Sequence, residues 1–145
     1  MQTQKQPPIK VLYVNNRPQE LSEFRDLFKD TFDVFLASDV SGAQAQLQRL
    51  NIDVIVSEHC CEESVGLNAL EAAKSTNSDI ARILIVGFTD VDHIIEAVKR
   101  SDAFRFLTRP YEKCKLVKTI YSAYNYRDLS KANKHTKAKA FLQGK

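Results

Sequence analysis

DVIVSEHCCEESVGLNALEAAKST, residues 53–76, is the stretch on which the fold turns. It opens with a short β-branched apolar run, Asp53–Ser57, and stops at the charged Glu58. A loop over 58–65 follows, and Gly66 starts a segment in which Leu67, Leu70 and Ala73 recur at helical spacing. A strand that is apolar on both faces is a buried one, and buried strands that alternate with helices build parallel sheets.

The same unit repeats on either side. Upstream, Ile9–Val14 reads as a strand, Arg17-Pro18 opens a helix carrying Leu21, Phe24, Leu27 and Phe28, and Phe32–Ala37 reads as a second strand. Ser38 and Asp39 are N-cap residues for a helix to about Leu50, with Val40, Ala43, Leu47 and Leu50 on one face. Downstream, the turn cluster Asn77-Ser78-Asp79 precedes a strand at Ile83–Val86. Thr89 and Asp90 cap a helix to about Arg100, with Val91, Ile94, Ile95 and Val98 expected to face inward. Phe104–Leu107 is the fifth strand, and a last helix from about Tyr111 shows Leu116, Ile120 and Tyr124. Five strand–helix repeats predict an α/β fold: a five-stranded parallel sheet, doubly wound, in the flavodoxin-like order 2-1-3-4-5. The chain is too short for an eight-stranded barrel.

Composition fits one core in 145 residues, 43% of them hydrophobic. No apolar run approaches the ~20 residues that span a bilayer. Residues 1–8 read as a disordered polar leader, 9–126 as the domain and 127–145 as a basic helical extension or linker. The net charge of +3 hides a division. Residues 1–126 hold 15 Lys and Arg against 17 Asp and Glu, whereas 127–145 hold six basic groups and one acid. A mildly acidic domain argues against a nucleic-acid face, and the basic run reads as a solvated end. Three cysteines, with no CxxC and no secretory signal, imply reduced thiols and a cytoplasmic setting. His59-Cys60-Cys61 lacks the ligand spacing of a zinc site.

In an open parallel sheet the carboxyl ends of the strands line one crevice. Asn15, Asn16, Glu58, Val86 and Arg109 stand at those ends and are expected to meet there. The four glycines are at 42, 66, 87 and 144, so the first strand–helix turn lacks a phosphate-cradling glycine loop. The three histidines have no nucleophile elbow. An unrelated flavodoxin-like enzyme or nucleotide binder is therefore disfavoured.

The frame resembles the receiver domain of two-component response regulators over roughly residues 9–126. It is carried by VLYVNNRP, by DVIVSEHCCEESVGL with Gly66-Leu67 kept, by ILIVGFTD with Gly87-Phe88 kept, and by FLTRP with Pro110 kept. In that family these positions hold an acidic pair, a phosphoryl-accepting Asp, a Thr or Ser and a Lys. Here they are Asn15 and Asn16, Glu58, Val86 and Arg109, while Glu62-Glu63 replace the loop Pro-Gly. The resemblance thus implies a degenerate receiver with no enzymatic activity. Mg²⁺ binding is expected to be weak or absent, because Asn offers only neutral oxygens and leaves Glu58 the one carboxylate of the five positions, and Val86 has no donor with which to bond a phosphoryl group. Glu58 is also one methylene too long for in-line transfer, and about 1 Å of misplacement costs on the order of 10²-fold. Arg109 is expected to pair with Glu58. The resemblance further implies a cis Arg109–Pro110 peptide and places Phe106 at the switch-aromatic position, where core packing is the simpler expectation. It also points to a partner face on the fourth helix, fifth strand and fifth helix. His93, Ile94, Lys99, Phe104 and Tyr111 are its candidates, for signalling proteins, an output domain or a homodimer. Two alternatives stay open: a receiver that uses Glu58 as an unusual acceptor, and the N-terminal receiver of a larger regulator whose output domain is missing.

Overall fold

The computed structural model describes residues 8–59, 65–87 and 91–142, apart from the side chains of 91, 93, 101 and 128–142. The expected leader, Pro8 excepted, falls outside these residues, as do Cys60, Cys61, Glu62, Glu63, Thr89 and Asp90. The elements run β1 (Lys10–Val14), α1 (Pro18–Phe28), β2 (Asp33–Ala37), α2 (Val40–Arg49) and β3 (Val54–His59). Then follow α3 (Val65–Thr76), β4 (Ala81–Val86), α4 (Val91–Ser101), β5 (Arg105–Thr108) and α5 (Lys113–Leu142). All strand pairs are parallel, in the order β2-β1-β3-β4-β5.

Alternation along the strands builds two cores, one on each face of the sheet. Tyr13, Val56, Ile83 and Ile85 pack with Phe24 and Phe28 of α1 and Leu116 and Ile120 of α5. Leu12, Val14, Ile55 and Leu84 pack with Leu47 of α2 and Leu67 and Leu70 of α3. The helix starts obey local chemistry. Pro18 stands at the start of α1, and the Asp39 carboxylate accepts the Gly42 amide at 2.7 Å to cap α2. Pro110 delays α5 to Lys113, two residues later than the periodicity suggests, and the Glu112 carbonyl accepts from Lys115 and Leu116.

Two expectations need correction. Ile95 does not face inward; it is 47% exposed, on the helix that leads into the edge strand β5. Phe106 is not core: it is exposed to the same extent, on the outer side of the edge strand β5. Phe104 and Tyr111, candidates for a partner surface, pack partly buried against the α1/α5 core. Of the other candidates, Ile94 is half-buried and Lys99 exposed. The side chain of His93 lies outside the described residues.

Candidate functional site

The carboxyl ends of β1, β3, β4 and β5 converge, and Arg109 is the centre of what they form. Hydrogen bonding of the Arg109 amide to the Val86 carbonyl, at 2.9 Å, fixes the backbone beside the end of β4. The Arg109–Pro110 peptide that follows is cis. The guanidinium turns to β3. Its Nε donates to Glu58 Oε1 at 3.0 Å and Oε2 at 2.9 Å, and its Nη2 donates to Oε2 as well. The same Nη2 donates to Glu20 Oε1 at 3.0 Å. The guanidinium carbon Cζ also lies 5.4 Å from the Tyr111 ring centroid.

The Glu58 side chain is only 8% exposed, so its charge must be met inside the protein. Arg109 meets it with two N–H groups in the fork geometry that suits a carboxylate. Tyr13 adds a third donor, its hydroxyl 3.3 Å from Glu58 Oε2. That hydroxyl accepts in turn from Asn15 Nδ2 at 3.0 Å, and Asn15 Oδ1 accepts the Arg17 amide at 2.9 Å. The chain of contacts therefore runs from α1 through Arg109, Glu58, Tyr13 and Asn15 back to the turn that starts α1.

Electrostatics follow from this packing. Burial first, then the nearby Glu58 charge, push the Tyr13 hydroxyl far above its ordinary range, so it stays a neutral donor. Burial likewise pushes Tyr111 up to about 12, with Arg109 working in the opposite direction. The hydrogen bond to Glu58 raises Arg109 further still, and the guanidinium is permanently charged.

The sequence-predicted positions do not all take part. Asn15, Glu58 and Arg109 join one network. Val86 is 1% exposed; its side chain has no polar atom and belongs to the α2/α3 core, while its backbone carbonyl accepts the Arg109 amide. Asn16 is exposed. Two members were missed. Tyr13 carries a signal in hindsight, since residues i and i+2 of a strand share a face and Tyr13 must lie beside Asn15. Glu20 sits in the first turn of α1, where an acid is ordinarily read only as a partner of the helix dipole.

The scaffold below the site is tight. Ser57 Oγ donates to the Gly66 carbonyl at 2.9 Å and ties β3 to the start of α3. A Cβ on Gly66 would lie 2.0 Å from the Glu58 carbonyl oxygen, so only glycine permits this approach. Among the described residues, no three His, Cys, Asp or Glu side chains gather as a metal-binding group. Nor is any described helix long and apolar enough to cross a membrane.

Residues 11–121 match the family model described as the response regulator receiver domain. The hydrogenase transcriptional regulatory protein HoxA of Cupriavidus necator is 26% identical over 113 residues, covering 78% of this chain and 23% of its own length. This chain thus spans about a quarter of that relative. A response regulator receiver domain protein from Clostridium thermocellum superposes with a TM-score of 0.73 at 25% identity, over 83% of this chain and 98% of that one. An adenylate cyclase from Rhodopirellula baltica superposes with a TM-score of 0.76, over 95% of this chain and 99% of that one. At 19% identity that last likeness is one of fold alone.

Proposed function

The chain belongs to the response regulator receiver domains of two-component signalling, and from that premise we propose that it is a receiver that works by protein contact, without phosphoryl transfer and without Mg²⁺. The observation that carries this reading is the Glu58–Arg109 pair. Both carboxylate oxygens already accept from a side chain of the same domain.

An acceptor carboxylate must be free to attack, and a hard cation must bridge it to the incoming phosphoryl oxygens. Mg²⁺ asks for oxygen ligands in near-octahedral array. The side chains at hand fit that ion poorly. Glu58 is engaged by Arg109 and Tyr13, the Asn15 carbonyl oxygen by the Arg17 amide, and Val86 contributes no oxygen. A guanidinium supplies locally the positive charge that a metal would bring. The alternative in which Glu58 is an unusual acceptor requires Arg109 and Tyr13 to release it first, which this geometry disfavours.

In this reading the domain is no enzyme and acts in the cytoplasm. Its partners are signalling proteins, an output domain or a second copy. The outer face of α4, β5 and α5 is the contact surface, with Phe106, Ile95 and Lys99 presented to solvent.

The test is an amide-resolved NMR titration of the whole chain, first with Mg²⁺ and then with Mg²⁺ and fluoroberyllate. No saturable shifts are expected at Asn15, Glu58 or Arg109. Stoichiometric Mg²⁺-dependent shifts at those residues would overturn the reading.

A further inference from the structure

At the opposite end of the sheet, the starts of β4 and β5 and the middle of α5 enclose a polar pocket of about 380 Å³. That lies within the ~300–1,000 Å³ of small-ligand sites. Lys74, Arg82, Arg105 and Arg127 line it against two carboxylates, Asp79 and Asp102. Arg127 is itself paired with Asp53 at 3.2 Å, so four cations face three carboxylates, and the positive charge left over in a concave site attracts anions.

Two of these cations are unusual. Arg82 stands within β4 and is 3% exposed. Its guanidinium donates to the carbonyls of Ser78, Ile80 and Asp102 at 3.0–3.3 Å. Carbonyls satisfy its donors but do not neutralise its charge. The Asp102 carboxylate is 3.8 Å away, exposed, and already held by Lys74 at 2.7 Å. Arg105 donates to the Ser122 hydroxyl at 3.1 Å and the Phe104 carbonyl at 2.8 Å, and it makes no ion pair with any described residue.

Both guanidiniums are held by aromatic rings. Arg82 lies 4.7 Å from the Phe104 centroid, Phe104 meets Tyr126 edge-on at 5.0 Å, and Arg105 lies 5.2 Å from the Tyr126 centroid. The sequence Arg82, Phe104, Tyr126, Arg105 is one continuous stack through β4, β5 and α5. It fixes two cations before any ligand arrives, so little side-chain entropy is lost on binding.

We propose that this pocket is a binding site for a small phosphate-bearing anion, distinct from the crevice at the other end of the sheet. Arg105 donates directly to the phosphate oxygens, and Arg82 and Lys74 supply the surrounding field. The anion joins β5 to α5 at Tyr126, beyond Ala123, the last described residue of that helix buried on the sheet. The site does not depend on the reading given to Glu58.

The experiment is an amide-resolved NMR titration of the whole chain, with sodium phosphate and separately with adenosine monophosphate, against sodium chloride at equal ionic strength. Saturable shifts are expected at 102–105 and 126 and not at 58. The R105Q variant, whose side chain is outside both cores, is expected to keep its near-ultraviolet circular dichroism and to bind at least about tenfold more weakly, the scale of one charge-assisted hydrogen bond. R105K is expected to recover part of that loss. Tighter binding of the nucleotide assigns the natural ligand to phosphate esters, and equal binding assigns it to free phosphate. Shifts that do not saturate by concentrations on the order of 10 mM, that chloride reproduces, or that persist unchanged in R105Q would overturn the proposal.

Discussion

From one side chain, Arg109 reaches Glu58 on β3, Glu20 on α1 and the ring of Tyr111 ahead of α5. Removing it would leave Glu58 buried with the Tyr13 hydroxyl as its one side-chain donor among the described residues. An uncompensated buried charge costs more than the pair contributes. Arg109 is itself 36% exposed, so water can enter and soften that cost. R109A is therefore expected to lower stability by about 1–3 kcal/mol. E58Q in the R109A background should recover part of the loss, because the stranded charge is gone. Urea unfolding of the single and double variants measures the coupling. Additivity to within about 0.5 kcal/mol would mean that the pair does not act as a unit.

Between β3 and α3 the fold depends on a backbone approach rather than a side chain. Gly66 lies where any Cβ would meet the Glu58 carbonyl oxygen, a backbone atom that cannot swing aside. G66A is expected to force α3 away from the end of β3 and to cost at least about 2 kcal/mol, the scale of overpacking. The urea midpoint reads this directly, and an unchanged midpoint would mean that the helix shifts freely. Other features of the elements differ in how legible they are from sequence. The five strands and five helices follow from apolar runs and helical periodicity, as does the parallel sheet, because both faces of each strand must be covered. Periodicity is silent where a residue breaks its own class. Arg82 reads as a strand boundary by hydropathy, yet β4 begins one residue earlier and buries it, since nearby carbonyls satisfy its donors. Ile95 and Phe106 read as core by the same measure and are exposed, because α4 and β5 lie at the edge of the sheet. In the crevice, the strand-end rule locates Asn15, Glu58 and Arg109. Glu20 depends on the direction in which α1 leaves β1, which no local pattern encodes.

Over the whole molecule, two tyrosines link the crevice to global stability. Tyr13 is stacked on Phe24 with ring centroids 3.9 Å apart, and its hydroxyl enters the Glu58 network. Tyr111 packs against the same core and faces Arg109. Burial is the first cause that raises each of them above the ordinary tyrosine value of 10.0. Each raised group holds its proton more tightly when folded than when unfolded, so its contribution is fully present below pH about 10. As pH climbs past that value the unfolded chain loses protons that the folded chain keeps, and stability falls. Tyr111 stops contributing to the slope once pH passes about 12, and Tyr13 continues beyond it. Urea midpoints are thus expected to be insensitive to tyrosine ionisation up to about pH 9.5 and to drop steadily between about pH 10 and 12. Y13F removes one of the two groups and should flatten the drop while leaving the Tyr111 part. A Y13F profile as steep as that of the native chain would mean that Tyr13 does not carry the alkaline transition.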